Sequence, residues 1–142
     1  MEAVLLDTTV YVAAVRHPNR QTGTFRLLAR LLRGADVRLV GDDVLAREYL
    51  RYAQVFPSPT AAALATALAD AMERVAVRER ILLACAPFFR PEQVADCVHA
   101  GACLQTGAVL VTNDRHFDPI RKAGVIPVLT AAEAIRRWVP GP

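Results

Sequence analysis

Short, nearly continuous apolar runs alternate along this chain with longer segments in which apolar residues recur every three or four positions. The short runs are typical of buried strands, and the longer segments are typical of helices packed on one face. Strands are predicted at 2–6, 37–40, 109–112 and 125–129. Helices are predicted at 8–14, 21–33, 44–52, 60–74, 80–86, 91–105 and 117–122, with a terminal helix after Thr130. This alternation predicts an α/β fold, a parallel sheet wrapped by helices.

Helix boundaries are marked by capping residues and helix breakers. Asp42 or Asp43 can cap the third helix, and Pro91 followed by Glu92 favours a helix start. Gly107 is expected to end that helix. Thr130 with Glu133 three positions later forms a capping-box pattern. Pro127 places the last strand at an edge of the sheet, because proline cannot donate a ladder hydrogen bond. Residues 75–77 form a short apolar connection whose pattern favours neither helix nor strand.

The length and hydropathy of the chain predict one domain, spanning residues 1–142, with a sizeable core. Apolar residue types make up 54% of the sequence. The longest helical segment, 60–74, nevertheless carries Asp70 and Glu73 and falls short of a membrane span. The first residues lack the basic start of a secretory signal. A cytoplasmic protein without membrane association is therefore expected.

Charge and cysteine content add two weaker indications. The net charge is +3, and sixteen of the seventeen basic residues are arginine, with Lys122 the exception. Arginine suits a polyanionic ligand, although a compositional bias of the genome would explain the same excess. The three cysteines, Cys85, Cys97 and Cys103, form no C-x-x-C pair and are expected to be buried thiols.

Four carboxylates carry the main functional hypothesis. Asp7 and Asp114 follow predicted strands, where open α/β sheets form their ligand crevice, and Glu48 and Asp96 lie in predicted helices that can face it. Two unit charges about 4 Å apart repel by roughly 4 kcal/mol at an effective dielectric near 20. A cluster of such groups needs a compensating cation. We therefore expect Mg²⁺ or Mn²⁺ and phosphodiester hydrolysis.

Polar neighbours of these acids are expected to orient ligands and waters. They are Thr8, His99, Thr112, Asn113 and Asp118.

Each assignment has a structural alternative that remains open. Asp7 could cap the first helix, and the polar residues from Thr112 to Asp114 could form an Asx turn. His99 could be a hydrogen-bonded structural group. Asp118 could cap the short helix that begins at Pro119.

Four motifs, taken in order, resemble the PIN-domain family of metal-dependent ribonucleases over nearly the whole chain. Leu5-Leu6-Asp7-Thr8-Thr9-Val10 is similar to the family's opening strand and first acid, and Glu48 matches its helical glutamate. Ala95-Asp96-Cys97-Val98-His99-Ala100 resembles the helix of its third acid. The segments 110–117 and 124–130 resemble its last motif and its tail.

The resemblance implies a three-layer α/β sandwich with a central parallel sheet of about five strands. It also implies one or two divalent ions, held by Asp7, Glu48, Asp96 and Asp114, in a crevice at the carboxyl edge of the sheet. It favours RNA over DNA as the substrate. Many members are toxins of the VapC kind, which form homodimers and are inhibited by a cognate antitoxin protein. One departure is Thr9, where the family often has asparagine or serine.

Arginines near the motifs are expected to guide an RNA backbone. The candidates are Arg16, Arg47, Arg51 and Arg115.

Two other function classes also use acidic residues of this kind. A phosphatase of the haloacid-dehalogenase type forms an aspartyl-phosphate and uses a second acid two residues after its nucleophile. Thr9 stands at that position after Asp7, which disfavours this class. A non-catalytic PIN-like interaction module, binding a metal or a partner's arginine without turnover, remains the main alternative.

Overall fold

The structure, a computed structural model, describes residues 1–16 and 22–141. In these two ranges, five parallel strands form one sheet in the order β3-β2-β1-β4-β5. The strands are β1 (Glu2–Leu6), β2 (Val37–Gly41), β3 (Glu73–Arg74), β4 (Val109–Val111) and β5 (Val128–Leu129). The predicted parallel sheet of about five strands is confirmed.

Within the described residues, eight α-helices flank this sheet and complete a three-layer α/β sandwich. They are α1 (Thr8–Val15), α2 (Gly23–Arg33), α3 (Asp43–Val55), α4 (Pro59–Ala71), α5 (Glu79–Cys85), α6 (Val94–Thr106), α7 (Asp118–Lys122) and α8 (Ala131–Trp138). Single 3₁₀ turns occur at Ala86–Phe88 and Arg115–Phe117. Within 1–16 and 22–141, no helix combines the length and the apolar character that a membrane crossing requires.

The register of the central strands brings two predicted site segments side by side. Leu6 of β1 pairs with Val111 of β4, and the Asp7 amide donates to the Val111 carbonyl at 2.9 Å. Because the strands are parallel, β1 and β4 end at the same edge of the sheet. Asp7 and Thr112 therefore emerge as neighbours.

Buried tyrosines connect the helical layer to this edge. The Tyr49 hydroxyl of α3 donates to the Leu6 carbonyl at 2.8 Å, and the Tyr11 hydroxyl of α1 donates to the Ala61 carbonyl at 2.8 Å. The two rings meet edge to face, with centroids 5.5 Å apart. Both residues are completely buried, so Tyr49 fixes α3 against β1 and Tyr11 fixes α1 against α4.

Three predicted capping features are confirmed. Asp42 is the N-cap of α3, and its side chain accepts from the Leu45 amide at 2.9 Å. Gly107 ends α6 with φ of 74°, a conformation that favours glycine. Thr130 and Glu133 form the reciprocal capping box of α8.

Other predicted boundaries were wrong. The helix predicted over 60–74 ends at Ala71, and Glu73–Arg74 is a strand instead. The helix predicted from Pro91 begins at Val94. The last strand is confined to Val128–Leu129.

A further prediction lies partly outside the described residues. Gln21, the predicted start of the second helix, belongs to the undescribed segment, and the helix begins at Gly23 after Thr22 as its cap.

The cysteines largely agree with expectation. Cys85 and Cys103 are buried thiols, whereas Cys97 is only partly buried.

Candidate active site

Asp7 is a buried carboxylate at the end of β1, with 5% of its surface exposed. It occupies the N-cap position of α1, but its side chain makes no capping hydrogen bond. Instead, its Oδ2 accepts hydrogen bonds from the hydroxyls of Thr9 and Thr112, each at 2.8 Å. Burial raises the pKa of Asp7, although the two hydroxyl contacts oppose that rise. The structure therefore does not support the helix-cap alternative for this side chain.

The polar residues after β4 are interlocked with the start of α1. The Asn113 amide donates to the Thr9 hydroxyl at 3.1 Å, and the Asp114 amide donates to the Thr112 hydroxyl at 2.9 Å. The Asn113 side-chain oxygen accepts from the Ala131 amide at 3.1 Å. Each hydroxyl thus serves both Asp7 and the loop, which fixes the loop relative to the first acid.

Asp114 has a turn-forming role as well as a place in the site. Its Oδ1 accepts from the His116 amide at 2.9 Å and caps the 3₁₀ turn. This is an Asx-type contact, the structural alternative that the sequence offered for these residues. The carboxylate also faces Asp96. One oxygen is therefore engaged in the turn, and the other remains available for a ligand.

A compact group of ligand atoms forms where α6 meets this turn. One side-chain atom each of Asp96, Asp114 and His116 lies within 4.8 Å of the others. His116 Nδ1 is 2.9 Å from Asp96 Oδ2 and 3.3 Å from Asp114 Oδ1. We call these three residues the acid–histidine cluster. The sequence predicted the two aspartates as site residues but not His116, which belonged only to the motif at 110–117.

The protonation of this cluster reflects its crowding. Burial raises the pKa of Asp96, a hydrogen bond from His116 opposes that effect, and the charges of Asp114 and Asp7 raise it further. The hydrogen bond to Asp96 in turn raises the pKa of His116. Carboxylates that repel one another and hold a histidine between them are groups whose charge a divalent cation would also neutralise.

Glu48 is positioned by a second, buried histidine. Its Oε2 accepts from the Thr8 hydroxyl at 3.1 Å, and its Oε1 lies 3.7 Å from His99 Nε2. The other ring nitrogen of His99 contacts Asp42 Oδ2 at 2.7 Å, and both residues are almost fully buried. His99 thus bridges Asp42 to Glu48.

The charge state of His99 follows from these acids. Burial alone would lower the pKa of its imidazole, but the hydrogen bond to Asp42, the contact with Glu48 and the charges of Asp42 and Asp7 raise that pKa to about 10. At neutral pH the ring is therefore an imidazolium between two carboxylates. Asp42 was predicted only as a helix cap, and its partner lies 57 positions away, so no local pattern pointed to the pair.

The four predicted acids do not converge equally. Asp96 and Asp114 lie in the acid–histidine cluster, while Asp7 and Glu48 fall outside that 4.8 Å group as far as the described residues extend. Their charges still act on one another: Glu48 contributes to the raised pKa of Asp7, and Asp7 to that of Asp96. The acids therefore line one electrostatically coupled region.

The remaining predicted residues lie at the margin of the region that the four acids line. Asp118 is exposed and is the first residue of α7, with Phe117 in the cap position and no capping side chain, so the helix-cap alternative is wrong. Together with Asp114 and Arg115 it lines a small cavity. Arg51 lies over the Tyr52 ring at 5.5 Å. Arg16 and Arg47 are exposed.

Comparisons with known proteins agree with this architecture. A chain of the VapBC-1 structure from nontypeable Haemophilus influenzae is similar with a TM-score of 0.61 and 18% sequence identity, over 92% of this chain and 98% of that one. A chain of VapBC2 from Rickettsia felis, bound to a DNA fragment from its promoter, is similar with a TM-score of 0.56 and 15% identity, over 90% and 98%. No curated protein matches significantly in sequence. The family model of the PIN domain matches residues 4–123, and the chain therefore belongs to the PIN domain family.

Proposed function

We propose that this protein is a divalent-metal-dependent endoribonuclease that hydrolyses RNA phosphodiester bonds. The observation that carries the proposal is the acid–histidine cluster beside buried Asp7, at the carboxyl ends of β1 and β4 in a PIN-domain chain. Grouping carboxylates in this way is costly unless a cation joins them. The same edge of an α/β sheet is where ligands bind.

The donor set fits a small, hard divalent ion. Asp7, Glu48, Asp96 and Asp114 offer carboxylate oxygens, which Mg²⁺ and Mn²⁺ prefer, and His116 lies beside Asp96 and Asp114. The raised pKa values of Asp7 and Asp96 show that burial disfavours their charged forms, a penalty that a cation would relieve. When bound, the ion supplies Lewis-acid activation of the phosphate and of the attacking water.

The protein's own residues hold these acids in place. Thr9 and Thr112 fix one oxygen of Asp7, which leaves the other free to face a ligand. Thr8 and His99 hold the two oxygens of Glu48. Because Thr9 and Thr112 also accept from backbone amides and His99 also contacts the buried Asp42, the carboxylates are oriented before any ligand arrives.

Cleavage of a mixed-sequence single-stranded RNA by purified protein tests the proposal. We expect cleavage with Mg²⁺ or Mn²⁺, no cleavage with EDTA, and at least a hundredfold loss in Asp7→Asn and Asp96→Asn. Asp70→Asn, an exposed acid on α4, is the matched control and should cleave normally. Binding of Mn²⁺ without any cleavage would instead favour the non-catalytic interaction module.

We further propose that the protein is the VapC-like toxin of a toxin–antitoxin pair, acting as a homodimer in the cytoplasm, with residues 1–142 as a single PIN-like domain. The support is the similarity to VapBC structures over nearly the full length of the matched chains. The test is induced expression alone and together with a small DNA-binding protein encoded immediately upstream. Growth arrest that co-expression relieves, and that Asp7→Asn abolishes, is the expected result; no arrest would favour a solitary RNA-processing nuclease.

A further inference from the structure

A cavity of about 570 Å³ opens directly beside the acid–histidine cluster. Its walls include Phe88, Arg90, Gln93, Arg115 and His116. His116 is shared, because its Nδ1 contacts Asp96 and Asp114 while the residue also lines the cavity. Anything bound in the cavity therefore lies next to the proposed site of cleavage.

Both walls of the cavity are fixed by their own hydrogen bonds. On one side, the Gln93 amide donates to the Arg90 carbonyl and the Arg90 amide donates to Gln93 Oε1, each at 2.9 Å. On the other side, Asp114 caps the 3₁₀ turn that carries Arg115 and His116. A site whose walls are ordered in advance loses less entropy on binding.

Aromatic packing joins the two walls. The Phe89 ring meets the Phe117 ring edge to face, with centroids 5.7 Å apart, and Phe117 is completely buried. The turn that carries Phe88 is thereby held at a set distance from the turn that carries His116. The cavity is part of the folded framework rather than a gap between independent loops.

The chemistry of the lining matches a nucleotide. Arg90 and Arg115 are exposed, and neither forms an ion pair with any residue in 1–16 or 22–141, so both guanidinium groups are available to phosphate oxygens. Phe88 is a half-buried aromatic side chain, and aromatic rings bind unpaired bases by stacking. Gln93 uses its oxygen within the turn, which leaves its amide NH₂ to donate to a base edge.

We propose that this cavity binds one nucleotide of single-stranded RNA, adjacent to the phosphate that the metal site cleaves. The base contacts Phe88, and the flanking phosphates contact Arg90 and Arg115. A base held in a duplex cannot enter such a cavity, because it remains stacked and paired. The proposal rests on the proposed ribonuclease function and adds a requirement for an unpaired base at a fixed distance from the cleaved bond.

An abasic scan of an RNA oligonucleotide tests this requirement. Single abasic sites are placed at successive positions around the cleaved bond, and KM and kcat are measured with Mn²⁺. We expect one position near the bond at which the abasic site raises KM about 5- to 150-fold, the range that a stacked base contributes. Phe88→Ala should raise KM for intact RNA similarly. Combining the abasic site with Phe88→Ala should add little, because both remove the same contact.

Matched variants separate this contact from general charge and from folding. Phe88→Leu keeps apolar packing and should still raise KM, which excludes misfolding as the cause. Arg90→Met should weaken RNA binding several-fold, whereas Arg80→Met, an exposed arginine on α5 outside the cavity, should not.

The outcomes distinguish this proposal from the proposed function. If the protein cleaves RNA and Asp7→Asn does not, but no abasic position matters or Phe88→Ala leaves KM unchanged, the nucleotide site is overturned and the nuclease stands. If no RNA is cleaved, fluorescence anisotropy of labelled RNA with Ca²⁺ decides: weaker binding by Phe88→Ala and Arg90→Met supports the site, and unchanged binding overturns it. Equally tight binding of single-stranded DNA overturns the assignment to RNA.

Discussion

Replacing Asp42 by asparagine should destabilise the metal-free protein although the change removes a single charge. Asp42 has two roles: it caps α3 at the Leu45 amide, and it binds the buried imidazolium of His99 at 2.7 Å. Asparagine caps a helix as well as aspartate does, so the first role survives. The second role is lost, and His99 keeps only the contact with Glu48 at 3.7 Å.

The loss of unfolding free energy in Asp42→Asn follows from the burial of the Asp42–His99 pair. Breaking a buried ion pair by removing one partner costs roughly 3–5 kcal/mol. Because Glu48 still faces His99, we expect the lower end, about 3 kcal/mol, which lowers Tm by roughly 10 °C for a chain of this size. Asp42→Ala also loses the cap and should cost about 1 kcal/mol more. Asp43→Asn is the matched control: its side chain is 80% exposed and lies 3.6 Å from Arg74, so its effect should stay below about 0.5 kcal/mol.

The pH dependence supplies an independent check. The pKa of His99 is raised to about 10 in the folded protein, against about 6.5 in the unfolded chain. The stabilisation is therefore complete below about pH 6.5 and is lost as pH rises towards 10. The difference in the free energy of unfolding between the wild-type protein and Asp42→Asn should therefore decrease over that pH range.

Urea unfolding in EDTA, followed by Trp138 fluorescence and circular dichroism at several pH values, measures both effects. The reasoning is refuted if the free energy of unfolding of Asp42→Asn lies within about 1 kcal/mol of wild type at pH 7. It is also refuted if the difference between the two proteins does not change between pH 7 and 10.

Three further predictions concern single contacts. Thr112→Val removes a hydroxyl that donates to Asp7 and opposes the rise in the pKa of that carboxyl, so the acidic limb of the pH–activity profile should move to higher pH, and an unmoved limb would contradict this. Gly107→Ala should cost about 1 kcal/mol in thermal unfolding, because φ is 74° and the added Cβ meets no atom within 4 Å; an unchanged Tm would contradict this. Tyr11→Phe removes the buried hydrogen bond from the Tyr11 hydroxyl to the Ala61 carbonyl, which still accepts a helix hydrogen bond within α4, and should cost roughly 0.5–1.5 kcal/mol in urea unfolding, with the sheet intact by circular dichroism.

Features set by a few adjacent residues were predictable from the sequence. The strand before Asp7 and the cap at Thr130 each carry their own local pattern, and the structure contains both. The same holds for Gly107, whose conformation is a property of one residue. Short-range pattern and backbone preference decide such features, so no knowledge of the tertiary contacts is needed.

Features that depend on distant partners were not predictable. Glu73–Arg74 forms a strand only because it pairs with Val40 and Gly41, and its exposed charged residues have no strand-like pattern. The Pro91 signal failed because the Gln93 side chain closes a turn that delays the helix.

The candidate site divides along the same line. Asp7 and Asp114 were identifiable from their positions after strands, whereas the bridge from Asp42 through His99 forms only when α3 and α6 pack together.

The shortness of both outer strands determines how other chains can attach. β3 and β5 contain two residues each, and β3 consists of an exposed glutamate and arginine, of which Glu73 pairs with Arg38 on β2 at 3.2 Å. A strand from another molecule would find only a few backbone groups to bond at either edge, and a charged pair beside one of them. The sheet is thus protected against edge-to-edge growth into aggregates, and assembly with any partner is left to the helical surfaces.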